Sequence, residues 1–183
     1  NAIMGAAYAR HVLGTHNPKI GLLSNGTEEE KGNALTKEAS KLLRRTEGIQ
    51  FIGNIEGHDL WETPPDVVVC DGFTGNIVLK TSEALAHAIF GMVKEEIHAS
   101  ARTKLGGLLA RPAFKRVHKK TNADEYGGSP LLGLNGITII AHGSASPYAM
   151  KNAIRMACET VKHQVNPHIE EAVRQYALTH ASV

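Results

Sequence analysis

The sequence contains few cysteines, and their positions do not suggest a structural role. Its 183 residues include only Cys70 and Cys158, and neither belongs to a CxxC pair. Isolated cysteines provide neither a disulfide framework nor a zinc site, and they are typical of the reducing cytosol. The histidines show no HExxH spacing, so we expect no metal. No GxGxxG motif follows a strand pattern, so we expect no dinucleotide cofactor.

An excess of one charge and long apolar runs are also absent. The chain has 20 Lys and Arg residues against 18 Asp and Glu residues, a formal net charge of +2, which argues against nucleic acid as the main partner. The apolar run at 137–141 is far shorter than the roughly 20 residues of a membrane span. The chain begins at Asn1 inside an apparent helix and without a signal-peptide pattern, so we expect it to be part of a longer protein.

The sequence does contain an alternation of short apolar runs and helical patterns. With 42% apolar residues, positions 1–183 are sufficient for a single α/β domain. The patterns predict strands at 19–23, 50–55, 66–70 and 136–141, and helices at 2–13, 28–45, 75–100, 146–164 and 167–177. This alternation predicts a three-layer α/β/α fold, in which helices cover both faces of a mostly parallel sheet. The β-branched run at 66–70 is expected to be a central strand.

Small and polar residues follow each predicted strand, in the segments 24–26, 53–57, 71–76 and 142–146. Ligands of parallel α/β sheets bind beyond the carboxyl ends of the strands, so we expect these segments to meet at one rim. The segment Asp71–Asn76 is the strongest candidate there, because Gly72 and Gly75 would let the backbone approach an anion such as phosphate at the start of a helix. The alternative is a tight turn in which Asp71 or Asn76 only caps that helix.

Two lysines are candidates for binding the same anion. The pattern places Lys31 in the first turn of the second helix, where a cation gains nothing from the helix dipole and a bound anion would explain it. A solvated surface lysine is the alternative interpretation. Lys80 is a weaker candidate for binding an anion, and it can equally pair with Glu83.

The sequence His142-Gly143-Ser144 contains a potential base next to a potential nucleophile. Neighbouring residues rarely form a catalytic pair, and no GxSxG elbow is present, so we do not expect a serine nucleophile. His142 remains a candidate proton donor or a polar wall of the pocket.

Residues 101–120 form a basic excursion within the domain, with seven Lys or Arg residues and no acidic residue around a few apolar side chains. Three interpretations stay open: an amphipathic segment on anionic lipid, a docking surface for an acidic protein, and a solvated basic helix. The residues predicted to form this surface are Leu105, Leu108, Leu109, Arg111, Phe114, Lys115 and Arg116.

Several motifs together resemble those of PlsX, the phosphate acyltransferase family of bacterial phospholipid synthesis. They are GLLSNGTE at 21–28 with KGN at 31–33, FIGNIEG at 51–57, DVVVCDGFTGN at 66–76, LKTSE at 79–83, EYGG at 125–128 and AHGS at 141–144. The similarity extends from Asn1 to about Ala172 in one order and with close spacing. It corresponds to the carboxyl half of that family, without its amino-terminal Asp-Ala-Met-Gly-Gly-Asp motif.

The resemblance implies acyl transfer from acyl carrier protein to inorganic phosphate, giving acyl phosphate, without a cofactor. It also implies an isocitrate/isopropylmalate dehydrogenase-like fold and a cytoplasmic homodimer at an anionic membrane surface. Lys31 and Asn76 are then predicted to act on phosphate or the oxyanion, and His142 on the departing thiolate. The predicted substrate- and phosphate-binding residues are Ser24, Asn25, Asn54, Asp71, Gly72, Gly75, Lys80 and Ser144.

Two other functions remain open at this point. A phosphotransacetylase would take the acyl group from a coenzyme A thioester instead of acyl carrier protein. A non-catalytic membrane-docking module would use the basic excursion and carry out no transfer. Activity with each acyl donor distinguishes the three.

Overall fold

The structure is a computed structural model and describes residues 1–180, the side chains of residues 179 and 180 excepted. It is an α/β structure in which helices predominate. The chain divides into two compact units: the first contains 1–70, 130–139 and the chain from 157 onward, and the second contains 71–129 and 140–156. The strands are β1 (Lys19–Leu23), β2 (Gln50–Ile55), β3 (Val67–Val69), β4 (Ser129–Pro130) and β5 (Ile139–Ile140). The helices are α1 (Ala2–His11), α2 (Ala34–Arg45), α3 (Asp59–Glu62), α4 (Gly72–His98), α5 (Ala101–Thr121), α6 (Pro147–Lys162) and α7 (Val165–His180).

The first unit is built on a parallel three-stranded sheet in the order β2-β1-β3. The apolar run of β1 makes it the central strand, and the side chain of Ile20 is completely buried there. The predicted parallel sheet is confirmed, but the prediction that 66–70 is a central strand is wrong. β1 has the other two strands as its neighbours, so β3 lies at the edge of this sheet. The residues of β3 are only half-buried.

Helices α1 and α7 pack in the same unit, where alanines permit close packing. Ala2 and Ala6 of α1 lie in a core cluster with Ile20, and a Cβ atom at Gly5 would lie only 2.7 Å from Cγ1 of Val67. Ala7 packs in a second cluster with two buried residues of α7, Val165 and Ile169. The small side chains of α1 therefore let it approach both β3 and α7.

The second helix begins later than its pattern predicts. The prediction started it at Glu28, whereas α2 starts at Ala34. Gly32 has a φ angle of +96°, which interrupts a right-handed helix, and the Asn33 side chain caps α2 by accepting a hydrogen bond from the Thr36 N–H. Lys31 is therefore in a loop, and the prediction that it occupies a first helical turn is wrong.

The second unit contains the two long helices α4 and α5, which pack against each other. A capping box at Ser100 starts α5 two residues after α4 ends. A Cβ atom at Gly107 would lie 2.5 Å from Cγ2 of Ile97, so glycine at this position permits the close approach of the two helices. The basic excursion is one continuous helix, and neither α4 nor α5 has a fully buried residue. In the described part of the chain, no helix is both long enough and apolar enough to span a bilayer.

The prediction of a fourth strand in the parallel sheet is wrong. Only Ile139 and Ile140 of the predicted strand at 136–141 form a strand, and they pair with β4 instead of the three-stranded sheet. A turn that includes Gly133, with a φ angle of +85°, precedes this pairing, and the Leu131 N–H donates to the Thr138 carbonyl across it. Local hairpin closure thus replaces a long-range strand pairing.

Candidate functional site

The loop between β1 and α2 is fixed to the end of β2 by side-chain amides. Asn25 Oδ1 accepts a 2.8 Å hydrogen bond from the Gly32 N–H, which closes the loop on itself. Asn54 Nδ2 donates a 2.9 Å hydrogen bond to the Glu28 carbonyl, which ties the loop to the sheet. The parallel register places the carboxyl ends of β1 and β2 side by side, which brings these residues together as predicted.

This loop positions Lys31. Its backbone N–H donates to the Glu28 carbonyl at 3.1 Å, and its side chain is exposed. A Cβ atom at Gly26 would lie 2.5 Å from Cγ of Lys31, so the lysine stem lies directly over Gly26. Because Gly26 has no side chain, the Lys31 stem has room to pass over it.

Two buried polar atoms at the same strand ends have no hydrogen-bond partner within the described residues. They are Ser24 Oγ, just after β1, and Asn54 Oδ1, in β2. Asn54 is only 7% exposed, so its unpaired oxygen is costly in the fold. Asn54 aligns with Leu22 in the register, which places it and Ser24 on the same face of the sheet.

The start of α4 is capped by Asp71, in agreement with the capping alternative. Asp71 Oδ1 accepts from the Thr74 N–H at 2.8 Å and Oδ2 accepts from the Thr74 hydroxyl at 2.6 Å. These bonds, the hydroxyl contribution first, hold the pKa of the Asp71 carboxyl below its usual value. The predicted glycine turn is the first turn of α4, with Gly72 and Gly75 inside the helix. A Cβ atom at Gly72 would meet no protein atom within 4 Å.

Asn76 and Lys80 follow on the same face of α4, four residues apart. Asn76 is exposed, and its side chain makes no hydrogen bond within the described residues. Lys80 Nζ lies 3.0 Å from Glu83 Oε2, so the predicted ion pair is present. This ion pair is compatible with a surface role for Lys80. Asn76 is then the residue of this helix face whose polar side chain has no partner within the described residues.

A cavity of about 500 Å³ in the second unit contains three of the predicted residues, Lys80, His142 and Ser144. His142 Nδ1 and Ser144 Oγ are 2.7 Å apart, a hydrogen bond that was not predicted from the sequence. The Ser144 N–H also lies 3.2 Å from the same ring nitrogen. Nε2 of His142 is therefore the ring atom left for a ligand.

Two further residues of this cavity, His87 and His118, were missed as site residues because they form no metal motif. His87 lies seven residues after Lys80 on α4, and this helical spacing is the signal that was available. His118 had no such signal, because its place depends on the packing of α5 against α4. Within residues 1–180 no group of three His, Cys, Asp or Glu side chains is arranged to hold a metal ion.

The predicted site residues therefore form two sets. Ser24, Asn25, Lys31 and Asn54 lie together in the first unit, and Asn76, Lys80, His142 and Ser144 lie on one helix face and its adjoining cavity in the second. The predicted single rim of four strand ends is wrong in one respect, because β5 is not a strand of the parallel sheet.

These features describe an α/β protein whose candidate site offers lysine, amide and imidazole groups. The sequence model of the family described as "Fatty acid synthesis protein" matches residues 1–168, and the chain belongs to that family.

Similar proteins with curated names agree with this family. The chain is 51% identical over 174 residues to the phosphate acyltransferase of Geotalea uraniireducens, which is 95% of this chain and 50% of that protein. It is 52% identical over 174 residues to the one of Pelobacter propionicus, with the same coverage. It is 48% identical over 176 residues to the one of Campylobacter concisus, which is 96% of this chain and 53% of that protein. The chain spans about half the length of the curated relatives it matches.

Proposed function

We propose that this protein transfers a fatty acyl group from acyl carrier protein to inorganic phosphate, which gives acyl phosphate for phospholipid synthesis. The observation that carries the proposal is the 51% identity, over 95% of the chain, to a protein named phosphate acyltransferase. Since the chain covers about half of such relatives, we propose this activity for the complete gene product.

The proposed reaction needs no nucleophilic side chain. An oxygen atom of hydrogen phosphate attacks the thioester carbonyl, a C–O bond forms, and the C–S bond breaks. The proton of hydrogen phosphate is transferred to the departing sulfur, so the products are acyl phosphate and the free thiol. The protein must bind the phosphate, stabilise the oxyanion and assist the proton transfer.

Lys31 and Asn76 are proposed to carry the first two tasks. The support for Lys31 is its exposed ammonium group on a stem that Gly26 and the Glu28 carbonyl hold in place. The support for Asn76 is an exposed, uncommitted amide near the start of α4, where the helix dipole favours negative charge. Ser24, Asn25 and Asn54 would shape the loop that presents Lys31, and Gly72 and Gly75 would leave space for the phosphate at α4.

His142 is proposed to assist the departing thiolate. Its support is the hydrogen bond between Nδ1 and Ser144, which orients the ring and leaves Nε2 for the sulfur. Ser144 would then act mainly on His142 and only secondarily on the substrate. Asp71, in this proposal, holds the first turn of α4 through Thr74.

The finer architecture and the partners are also proposals. The parallel sheet with packed helices supports an isocitrate dehydrogenase-like three-layer fold for residues 1–183 as one α/β domain. Exposed apolar side chains on α4 and α5 support a homodimer and peripheral attachment of a cytoplasmic enzyme to anionic membrane, since such side chains need a covering surface. The exposed leucines of the basic helix are Leu105, Leu108 and Leu109.

The test is a reconstituted reaction of the complete gene product with acyl carrier protein loaded with a fatty acyl group. We expect free thiol and hydroxylamine-trapped acyl phosphate to appear in equal amounts, and only when inorganic phosphate is present. The matched control replaces the donor with acyl-coenzyme A. A preference for the coenzyme A thioester would indicate a phosphotransacetylase, and no phosphate-dependent thiol release with either donor would contradict an enzymatic function.

A further inference from the structure

The cavity of the second unit extends beyond the residues that the proposed reaction uses. One wall is the face of α4 that carries Ala84, His87 and Phe90, and the facing wall includes His118 near the end of α5. The rings of Phe90 and His118 meet edge to face, with centroids 5.5 Å apart and an interplanar angle of 89°. This contact forms a firm inner wall.

The walls combine apolar surface with hydrogen-bonding groups. Ala84, Ala86 and Phe90 are apolar, whereas Thr121 and Asn122 are polar. Asn122 Oδ1 accepts from the Asp124 N–H, and its Nδ2 has no partner within the described residues. A pure hydrocarbon ligand would offer no hydrogen-bond partner to the polar residues of this lining, which is unfavourable. The walls thus favour a ligand that alternates apolar groups with amides.

The charges of the cavity argue against a phosphate ion as its main occupant. Lys80 is neutralised by Glu83 at 3.0 Å, and Asp124 adds a second carboxylate to the lining. Asp124 accepts a 2.8 Å hydrogen bond from the Ser146 hydroxyl, which holds it in place. With the histidines neutral, two carboxylates face one lysine in the lining, so a neutral ligand fits it better than the phosphate anion does.

We propose that this cavity binds the pantetheine arm of the acyl donor. Pantetheine is neutral, carries two amides and a geminal dimethyl group, and ends in the sulfur of the thioester. Its sulfur end would lie at Nε2 of His142, and its amide-bearing part would lie between Ala84 and Asn122. The cavity volume of about 500 Å³ is within the usual range for small-molecule sites. The proposal rests on the proposed function, because that function supplies the thioester donor.

A matched pair of substitutions on α4 tests this assignment in the complete gene product. Ala84→Phe places a ring in the cavity and narrows it, whereas Ala88→Phe places the same side chain one turn further on, at an exposed residue that does not line it. We expect Ala84→Phe to raise the KM for acyl carrier protein thioester about tenfold, a loss typical of one blocked contact region, with the KM for phosphate unchanged. Ala88→Phe should leave both constants unchanged. An unchanged donor KM in the active Ala84→Phe enzyme would overturn the cavity assignment while the proposed function stands.

A binding measurement separates this inference from the proposed function. In protein labelled with ¹³C-histidine, pantetheine alone should shift the ring signals of His87, His118 and His142, and Ala84→Phe should abolish these shifts. If the enzyme is inactive with acyl carrier protein but these shifts occur, the proposed function fails and the cavity assignment stands. If decanoate or inorganic phosphate produces the shifts and pantetheine does not, the cavity assignment is wrong.

Discussion

The carbonyl oxygen of Glu28 accepts two hydrogen bonds, one of 2.9 Å from Asn54 Nδ2 and one of 3.1 Å from the Lys31 N–H. Asn54 belongs to the sheet, whereas Glu28 and Lys31 belong to the loop after β1. A residue that is only 7% exposed therefore helps to set the position of an exposed lysine, and this relationship can be tested without changing the lysine itself.

We expect Asn54→Leu to release the loop that carries Lys31, because the Glu28 carbonyl then loses its contact with the sheet. The kcat/KM for phosphate should fall about tenfold, the equivalent of one typical hydrogen bond. Asn166→Leu is the matched control, since Asn166 Nδ2 donates a 3.0 Å hydrogen bond to the Leu134 carbonyl far from any proposed catalytic residue in sequence. Steady-state kinetics and thermal unfolding of both variants check this; equal kinetic losses would contradict a positioning role.

Direct removal of the proposed phosphate and oxyanion contacts should have a larger effect. We expect Lys31→Ala and Asn76→Ala each to lower kcat/KM about 10²-fold, as the loss of a preorganised electrostatic contact commonly does. Both side chains are exposed, so thermal unfolding should be nearly unchanged. Lys37→Ala on the exposed surface of α2 is the control and should keep full activity. Near-normal turnover in either site variant would reject that residue's role.

Space at Gly72 offers a test of phosphate binding that does not disturb packing. A Cβ atom at Gly72 would meet no atom within 4 Å outside the adjoining helical backbone, so we expect Gly72→Val to act mainly by obstructing a ligand. We expect a raised KM for phosphate and little change in unfolding temperature. Gly91→Val, also inside α4 and at a position where a Cβ atom meets nothing within 4 Å, serves as the control. Unchanged phosphate dependence in Gly72→Val would indicate a purely structural helix start.

The exposed leucines of α5 should determine membrane attachment. Each Lys or Arg near anionic lipid contributes about 1 kcal/mol, which salt screens, whereas the apolar contribution of leucine is not screened. We expect Leu108→Glu with Leu109→Glu to abolish sedimentation with anionic vesicles and to preserve acyl transfer in solution. The control is Leu35→Glu with Leu42→Glu, two exposed leucines of α2. Intact vesicle binding together with a weaker reaction with acyl carrier protein would make α5 a docking surface for that protein.

Stacked histidines should make the stability of the first unit dependent on pH. The rings of His11 and His168 are parallel, with centroids 3.6 Å apart. Burial first, then the charges of His168 and Arg10, lower the pKa of His11 from 6.5. The unfolded chain therefore binds this proton more readily, so the free energy of unfolding should fall as the pH decreases below 6.5 through the lowered pKa.

Urea unfolding from neutral to mildly acidic pH measures this dependence. His11→Gln should weaken it, because that variant has no proton to gain at this position. An identical pH dependence in wild type and His11→Gln would contradict the role of the histidine stack.

Elements with strong local signals could be predicted from the sequence. Lys19–Leu23 and Gln50–Ile55 are strands with the predicted bounds, because each is an apolar run enclosed by turn-forming residues. The start of α2 could not be predicted, since it depends on the left-handed conformation of Gly32 and on the choice of Asn33 as the cap. The edge position of β3 depends on which strands pair, which no local pattern encodes.

The same distinction between local signals and long-range packing applies to the candidate site. Ser24, Asn25 and Asn54 could be predicted to meet, because the first two follow β1 and Asn54 lies at the end of β2, the neighbouring strand. The contribution of His118 to the cavity could not, since it depends on the glycine that lets α5 approach α4. The sequence argued only against a catalytic pair of His142 and Ser144, and it did not predict the hydrogen bond that a tight turn permits between their side chains.

The hairpin of α4 and α5 separates two sets of residues along its length. Leu108 lies ten residues before His118 on α5, which at 1.5 Å per residue is about 15 Å of helix. Because this length separates the leucines from the cavity, the proposed membrane attachment and the proposed donor binding would depend on different residues of one helix. Relatives adapted to different lipid compositions should therefore diverge around the leucines while the cavity end of the same helix stays constant.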